Sequence, residues 1–415
     1  MLLRARIVLP ISSPPIEDGA VLVSGSHIAA VGRWRDFSSN VTQCDPPVDL
    51  GSVILLPGLV NAHCHLDYTG MTGLSAPKQF PDWIKGLLAL KANASYTDYA
   101  DAWLRGANML LQTGTTTVAD IEAVPELLPE VWSATPLRVA SFLEMTGVKS
   151  GQSPEKILQE AAAKINALQP KRGSAGLSPH ALYSTTPALL QATAELAARN
   201  RWRVTMHVAE SIEESEMCRY RRGPLFDWLK NQRDMSDCGE VTPVKQVMRS
   251  GLLGERFLAI HANYLEAEDI QHLAKTRSSV VHCPRSHAYF RHQPFPYQQL
   301  VAAGVNVCLG TDSLASVAKV SGAELKLSMF AEMQTFAAAN PGASPPDIVR
   351  LATCNGARAL GWGGQLGEIS PQSMADLIAI PYSGKAGETE AAAVHHQGDV
   401  SGSMIEGQWK IQKTA

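Results

Sequence analysis

The chain has 415 residues, 45% hydrophobic and 18% charged, with a formal net charge of −3. That is the composition of a globular protein with room for one domain of about 250–300 residues and a smaller one. Near-neutral charge without a basic block excludes a nucleic-acid surface, and no run approaches the roughly 18 apolar residues of a membrane span. Arg4 and Arg6 interrupt the opening "MLLRARIVLPISSPP", so no secretory leader is expected there. Seven scattered cysteines with no CxxC pair point to a reduced, cytoplasmic setting.

Residues 1 to about 55 carry short alternating segments ("RARIVLPI", "AVLVSG", "HIAAVG") broken by Gly, Pro and Ser, the pattern of a small β domain. The run 53–60 reads as a strand buried on both faces. Seven further short apolar runs follow, at 115–119, 137–143, 174–178, 202–208, 256–261, 278–282 and 304–310. Helical patterns lie between them. "DAWLRGANMLLQTG" has apolar residues at helical spacing and stops at Gly114, and "TPALLQATAELAARN" opens with Thr186 as N-cap and Pro187 at the first helical position. Eight strands alternating with helices predict a (β/α)8 barrel rather than an open sheet. After a last helix near 345–360, "LGEISPQSMADLIAI" and "SGSMIEGQWK" return to short strands. The expected architecture is α/β: a barrel over 56–362 and a small β-sandwich domain composed of 1–55 and 363–415.

In such a barrel the chemistry sits where strands end and βα loops begin. Positions i and i+2 of a strand point the same way, so His63 and His65 in "LVNAHCHLDYTGMTG" project side by side past strand 1. The other strand ends deliver Asp120, Glu144, His180, His207 with Glu210 three residues on, His261, and Asp312. Histidines gathered at one rim, closed by an aspartate, form a candidate metal centre. Asp120 reads better as a cap for the helix after strand 2 than as a catalytic group. Cys283 reads as a small buried hydrophobe, and His272, His292, His395 and His396 as surface residues.

The motifs "PGLVNAHCHLD", "GTTTVAD", "SPHALYS", "HVAES", "VHCPRS" and "LGTDS", in this order, resemble the amidohydrolase superfamily. The branch they resemble holds S-adenosylhomocysteine/methylthioadenosine, aminodeoxyfutalosine and guanine deaminases and the triazine chlorohydrolases. The resemblance implies that His63, His65, His207 and Asp312 hold one divalent metal, zinc ahead of iron. It also implies that Glu210 shuttles protons, that His261 faces the attacking water, and that His180 touches the substrate. Asp312, Glu210 and His261 are then the catalytic set. Strand 4 ends in Ser178, Pro179 and His180 and lacks the bridging carboxylate or lysine of two-metal members, which favours one metal.

The sequence departs from the branch at two places. Pro81 in "FPDWIK" stands where nucleoside-acting members often carry a ribose-holding Glu, with Trp83 retained, and Ser286-His287 replaces the usual Ser-Asn after strand 7, which is expected to alter a pocket wall. Trp83 could stack on a planar substrate or simply pack the helix that follows. The long insert at 211–250 reads as a solvated lid or subunit contact, with an anion site as the less favoured alternative.

The reading that results is a hydrolase of C–N bonds in cyclic amidines, replacing an exocyclic amine of a purine-like ring with oxygen. Its product is ammonia, and the resemblance implies a homo-oligomer. Triazine dechlorination or dealkylamination is the alternative enzyme reading, and a catalytically silent binding barrel is the alternative outside enzymes.

Overall fold

The computed structural model describes residues 1–37, 46–75, 77–148, 152–319 and 324–412. Eight strands follow one another in parallel around a barrel: Leu59–Cys64, Thr115–Glu122, Arg138–Met145, Gly173–Pro179, Val204–Val208, Phe257–His261, Ser279–His282 and Asn306–Leu309. The ring closes where Thr311 N and Asp312 N donate to His63 O at 2.9 and 3.1 Å. That close approach requires glycine at position 310, where a Cβ would lie 2.8 Å from both Cβ and O of His63.

Local sequence fixes the helices much as expected. Helix Tyr96–Gln112 begins in a capping box formed by Ser95 and Asp98 and ends before Gly114, whose φ is +83°. Helix Pro187–Asn200 starts on the Thr186 side chain, which accepts from Leu189 N.

The run 53–60 departs from expectation: it is two strands. Val53–Pro57 pairs antiparallel with Leu377–Pro381 in a second sheet, and the barrel strand begins at Leu59. The chain crosses at Gly58, where Thr116 Oγ1 would sit 2.0 Å from any Cβ and the amide donates to Asp376 O. Both strands are fully buried, so their apolar composition is continuous and hides the break.

The second sheet runs in the order Gln408–Gln412, Gly402–Ile405, Leu377–Pro381, Val53–Pro57, Leu2–Val8, Ile16–Ser24, His27–Arg33, with Val48–Asp49 beside Leu2–Val8. It therefore draws strands from both ends of the chain around a core that includes Leu3, Val21, Ile28, Leu55, Leu377 and Met404. A buried ion pair from Arg138, the first residue of the third barrel strand, to Asp376 (3.3 Å) ties this sheet to the end of the barrel opposite the strand C-termini. Among the described residues no helix is long and apolar enough to cross a membrane. Six cysteines are free thiols, Cys283 being completely buried, and Cys44 lies outside the described residues.

Candidate active site

Five of the strand-end residues converge on one point. His63 Nε2 and His65 Nε2 lie 3.7 and 3.9 Å from Asp312 Oδ1, and His65 Nε2 lies 3.3 Å from His207 Nε2. Donor atoms of His63, His65 and Asp312 fall within 4.8 Å of one another, as do those of His63, His207 and His261. Both ring nitrogens of His63, Nδ1 of His65 and Nε2 of His261 are buried with no hydrogen-bond partner among the described residues. Burial, reinforced by neighbouring imidazoles, pushes His207 well below the usual histidine range and His65 down to about 3. Burial raises the Asp312 carboxyl, but the adjacent His63 and the other surrounding histidines outweigh that and hold it well below the carboxylate range. Neutral imidazoles with bare nitrogens and an ionised carboxylate around one point are the donor set of a divalent metal ion, and these residues fit one.

The His180 carbonyl and several groups the sequence did not single out orient this set. His207 Nδ1 lies 2.9 Å from His180 O, and donation to that carbonyl leaves Nε2 free to face the centre. Ser316 Oγ donates to Asp312 Oδ2 at 2.8 Å, and Tyr68 stacks on His65 with ring centroids 4.8 Å apart. Asn61 accepts from Thr311 N and donates to Thr311 Oγ1, locking strand 1 to the turn that carries Asp312. His261 and Asp312 sit in left-handed backbone, at φ +67° and +53°. Such conformations cost free energy in non-glycine residues and gather at functional sites.

Glu210 is buried beside them, its Oε1 3.5 Å from His261 Nε2. Asn263 holds its backbone carbonyl, and Glu214 accepts from its amide. Burial, with the charges of Asp312 and Glu214, raises the Glu210 carboxyl well above the usual range. A buried carboxyl beside the converging histidines is placed to exchange a proton with a ligand in the cavity.

A cavity opens over this cluster, with His65, His207, Glu210, His261 and Asp312 along its floor. Its polar wall carries His180, Glu144, Lys91 and Tyr68, and its rim is apolar, formed by Trp83, Ile84, Leu87, Leu88, Trp228 and Leu229. Trp83 both lines the cavity and packs: its Nε1 donates to Ala315 O at 3.2 Å, and its ring lies edge-on to Phe290. Pro81 is buried in the first turn of helix Phe80–Lys91, with no reach toward a ligand. Leu87 is buried, but Leu88 and Leu90 are more than a third exposed, so the expected apolar face of that helix is only partly covered.

Four sequence expectations change. Asp120 caps no helix after strand 2; it accepts from Leu66 N, in the turn after strand 1, and from Trp103 Nε1. His272, His292 and His396 are half-buried rather than surface residues, His292 bonded to Tyr264 OH and His396 edge-on to Phe330. His287 turns to Gln293 O, and neither it nor Ser286 lines the cavity. In the insert, Arg219 pairs with Glu266, Arg222 with Glu216 and Lys230 with Asp227, while Arg221 binds Met235 O, which removes the basis for an anion site. The insert does act over the cavity: Trp228 and Leu229 form part of the rim, and Glu213 accepts from Phe80 N, capping the neighbouring helix.

The 5-methylthioadenosine/S-adenosylhomocysteine deaminase of Syntrophobacter fumaroxidans is 29% identical over 384 residues, covering 88% of this chain and 80% of its own. A crystal structure of an adenosine deaminase from Xanthomonas campestris with bound zinc superposes with a TM-score of 0.85 at 26% identity, over 99% of this chain and 93% of that one. The atrazine chlorohydrolase of Arthrobacter aurescens, complexed with zinc, superposes at 0.83 with 20% identity, over 99% and 95% of the two chains, a likeness of fold. Residues 54–410 match the amidohydrolase family, a span that takes in the barrel and the strands of the second sheet from Val53–Pro57 onward. This chain belongs to the amidohydrolase family.

Proposed function

We propose that the chain is a mononuclear metal-dependent aminohydrolase that replaces an exocyclic amine of a purine-like ring with oxygen and releases ammonia. His63, His65, His207 and Asp312 hold the ion, zinc ahead of iron. When bound, the ion supplies Lewis acidity that lowers the pKa of water from 15.7 toward about 7. Glu210 takes one proton of the attacking water to a ring nitrogen and then passes the second to the amine, which departs as ammonia and leaves a ring C=O and N–H. His261 faces the attacking oxygen from the side of Glu210, and His180 and Trp83 hold the ring. The observation that carries this reading is the convergence of unpartnered histidine nitrogens on one point, with a buried carboxyl beside it. The names of the relatives at 26–29% identity support an aminopurine. The triazine reading rests on fold likeness alone, and the intact donor set disfavours a silent barrel. The free cysteines fit a reducing, cytoplasmic setting, and a homo-oligomer accords with the family.

Ammonia release from a panel of aminated purines, pterins and triazines tests the reading. Release from at least one purine-type amine is expected; release from none, or of chloride or alkylamine only, contradicts it.

Two substitutions probe the assigned roles. His261→Asn should keep the metal and slow kcat sharply; loss of the metal would make His261 a ligand, as its grouping with His63 and His207 allows. Trp83→Ala should raise KM about ten-fold, combining lost stacking of about 0.5–1.5 kcal/mol with lost area, at unchanged metal content. An unchanged KM would leave Trp83 as packing only.

A further inference from the structure

We infer that Glu144 selects the substrate: one of its carboxylate oxygens accepts a hydrogen from a second N–H group on the ring, one that the reaction does not consume. The inference rests on the aminohydrolase reading of the same cavity and narrows it to rings that carry such a donor.

Glu144 is the next-to-last residue of the third barrel strand and lines the cavity, with a side chain only 10% exposed. Its two oxygens differ. Oε1 faces Lys91 Nζ at 3.7 Å, and that lysine also donates to the Tyr68 hydroxyl. Oε2 is buried and has no hydrogen-bond partner among the described residues. In the polar wall His180 Nε2 stands 4.0 Å from it, too far for a hydrogen bond. The His180 ring is held in that position by Ser184 Oγ, 2.8 Å from its other nitrogen.

Lys91 sustains the charge on Glu144. Burial works to raise its carboxyl, but the lysine, then His180 and His65, bring it down to about 2. A buried, ionised carboxylate oxygen without a donor is costly, and a ligand N–H placed there relieves that cost. Hydrogen bonds to an ionised acceptor are roughly twice as strong as neutral ones.

The chemistry of the missing donor can be narrowed. With Oε1 turned toward the Lys91 ammonium, Glu144 presents Oε2 to a ligand, which suits a single ring N–H or amine better than the paired hydroxyls of a sugar. The rim beyond is apolar, and Pro81 contributes no polar group to it. A free purine-type base, or a ring with two amines, meets these conditions.

Calorimetric titration of the zinc-loaded Glu210→Gln protein, in which turnover is suppressed, tests the inference with and without Glu144→Gln. The probes are adenine against 9-methyladenine, 2,6-diaminopurine against 6-amino-2-dimethylaminopurine, and adenosine. In at least one pair the member with the free N–H should bind at least ten-fold more tightly, and Glu144→Gln should bring that ratio within about three-fold. Three outcomes overturn the inference: no pair differing by more than three-fold, a preference that Glu144→Gln leaves intact, or adenosine binding more tightly than adenine with that advantage lost in Glu144→Gln. The last would assign Oε2 to a sugar hydroxyl. Because binding is read without turnover, failure of the deamination reading shows separately, as absent ammonia release by the unsubstituted protein.

Discussion

Glu210→Gln is expected to keep its metal and lose roughly 10²–10⁴ in kcat, the contribution of a positioned general acid–base group. The amide preserves the shape of the side chain and its approach to His261, so the backbone bonds from Asn263 and to Glu214 should survive. What it removes is the ability to take a proton from the attacking water and pass it on. Metal analysis and steady-state kinetics on the same preparation check the prediction. A fully loaded variant slowed only a few-fold would take Glu210 out of the mechanism.

His63→Ala should lose the metal and the activity together, with turnover falling to the uncatalysed background. His63 belongs to both groups of converging donor atoms, is completely buried, and has both nitrogens free of hydrogen bonds. Alanine leaves the remaining imidazoles and Asp312 around a gap that water fills poorly as a ligand substitute. Metal content near one per chain with near-normal turnover would contradict the assignment.

The parts of this account that were legible in the sequence are those set by local periodicity. The HxH spacing at a strand end places His63 and His65 on one face, and the later strand-end His207, His261 and Asp312 follow from the barrel alternation itself. Thr186, Pro187 and Gly114 marked helix boundaries because caps act through neighbouring backbone groups. What stayed hidden depends on contacts distant in sequence. Glu144 was visible as a strand end, but its meaning comes from Lys91, at the far end of a helix whose placement over the barrel no local pattern specifies. Asp120 looked like a local cap because nothing near it signals Trp103 or Leu66 as its partners. The division at Gly58 was masked because two buried strands from different sheets read as one apolar run, although Pro57-Gly58 is the signal that could have revealed it.

The central claim, that water replaces an amine on the ring in a metal-dependent step, is tested most directly by isotope. The zinc-loaded protein is given the aminated purine that releases ammonia fastest, in water enriched in oxygen-18, and the ring product is weighed by mass spectrometry. One labelled oxygen per ammonia is expected, with both lost when the metal is stripped by chelation and both restored when zinc is returned. A ring product without label, or undiminished ammonia release from the stripped protein, would contradict the account.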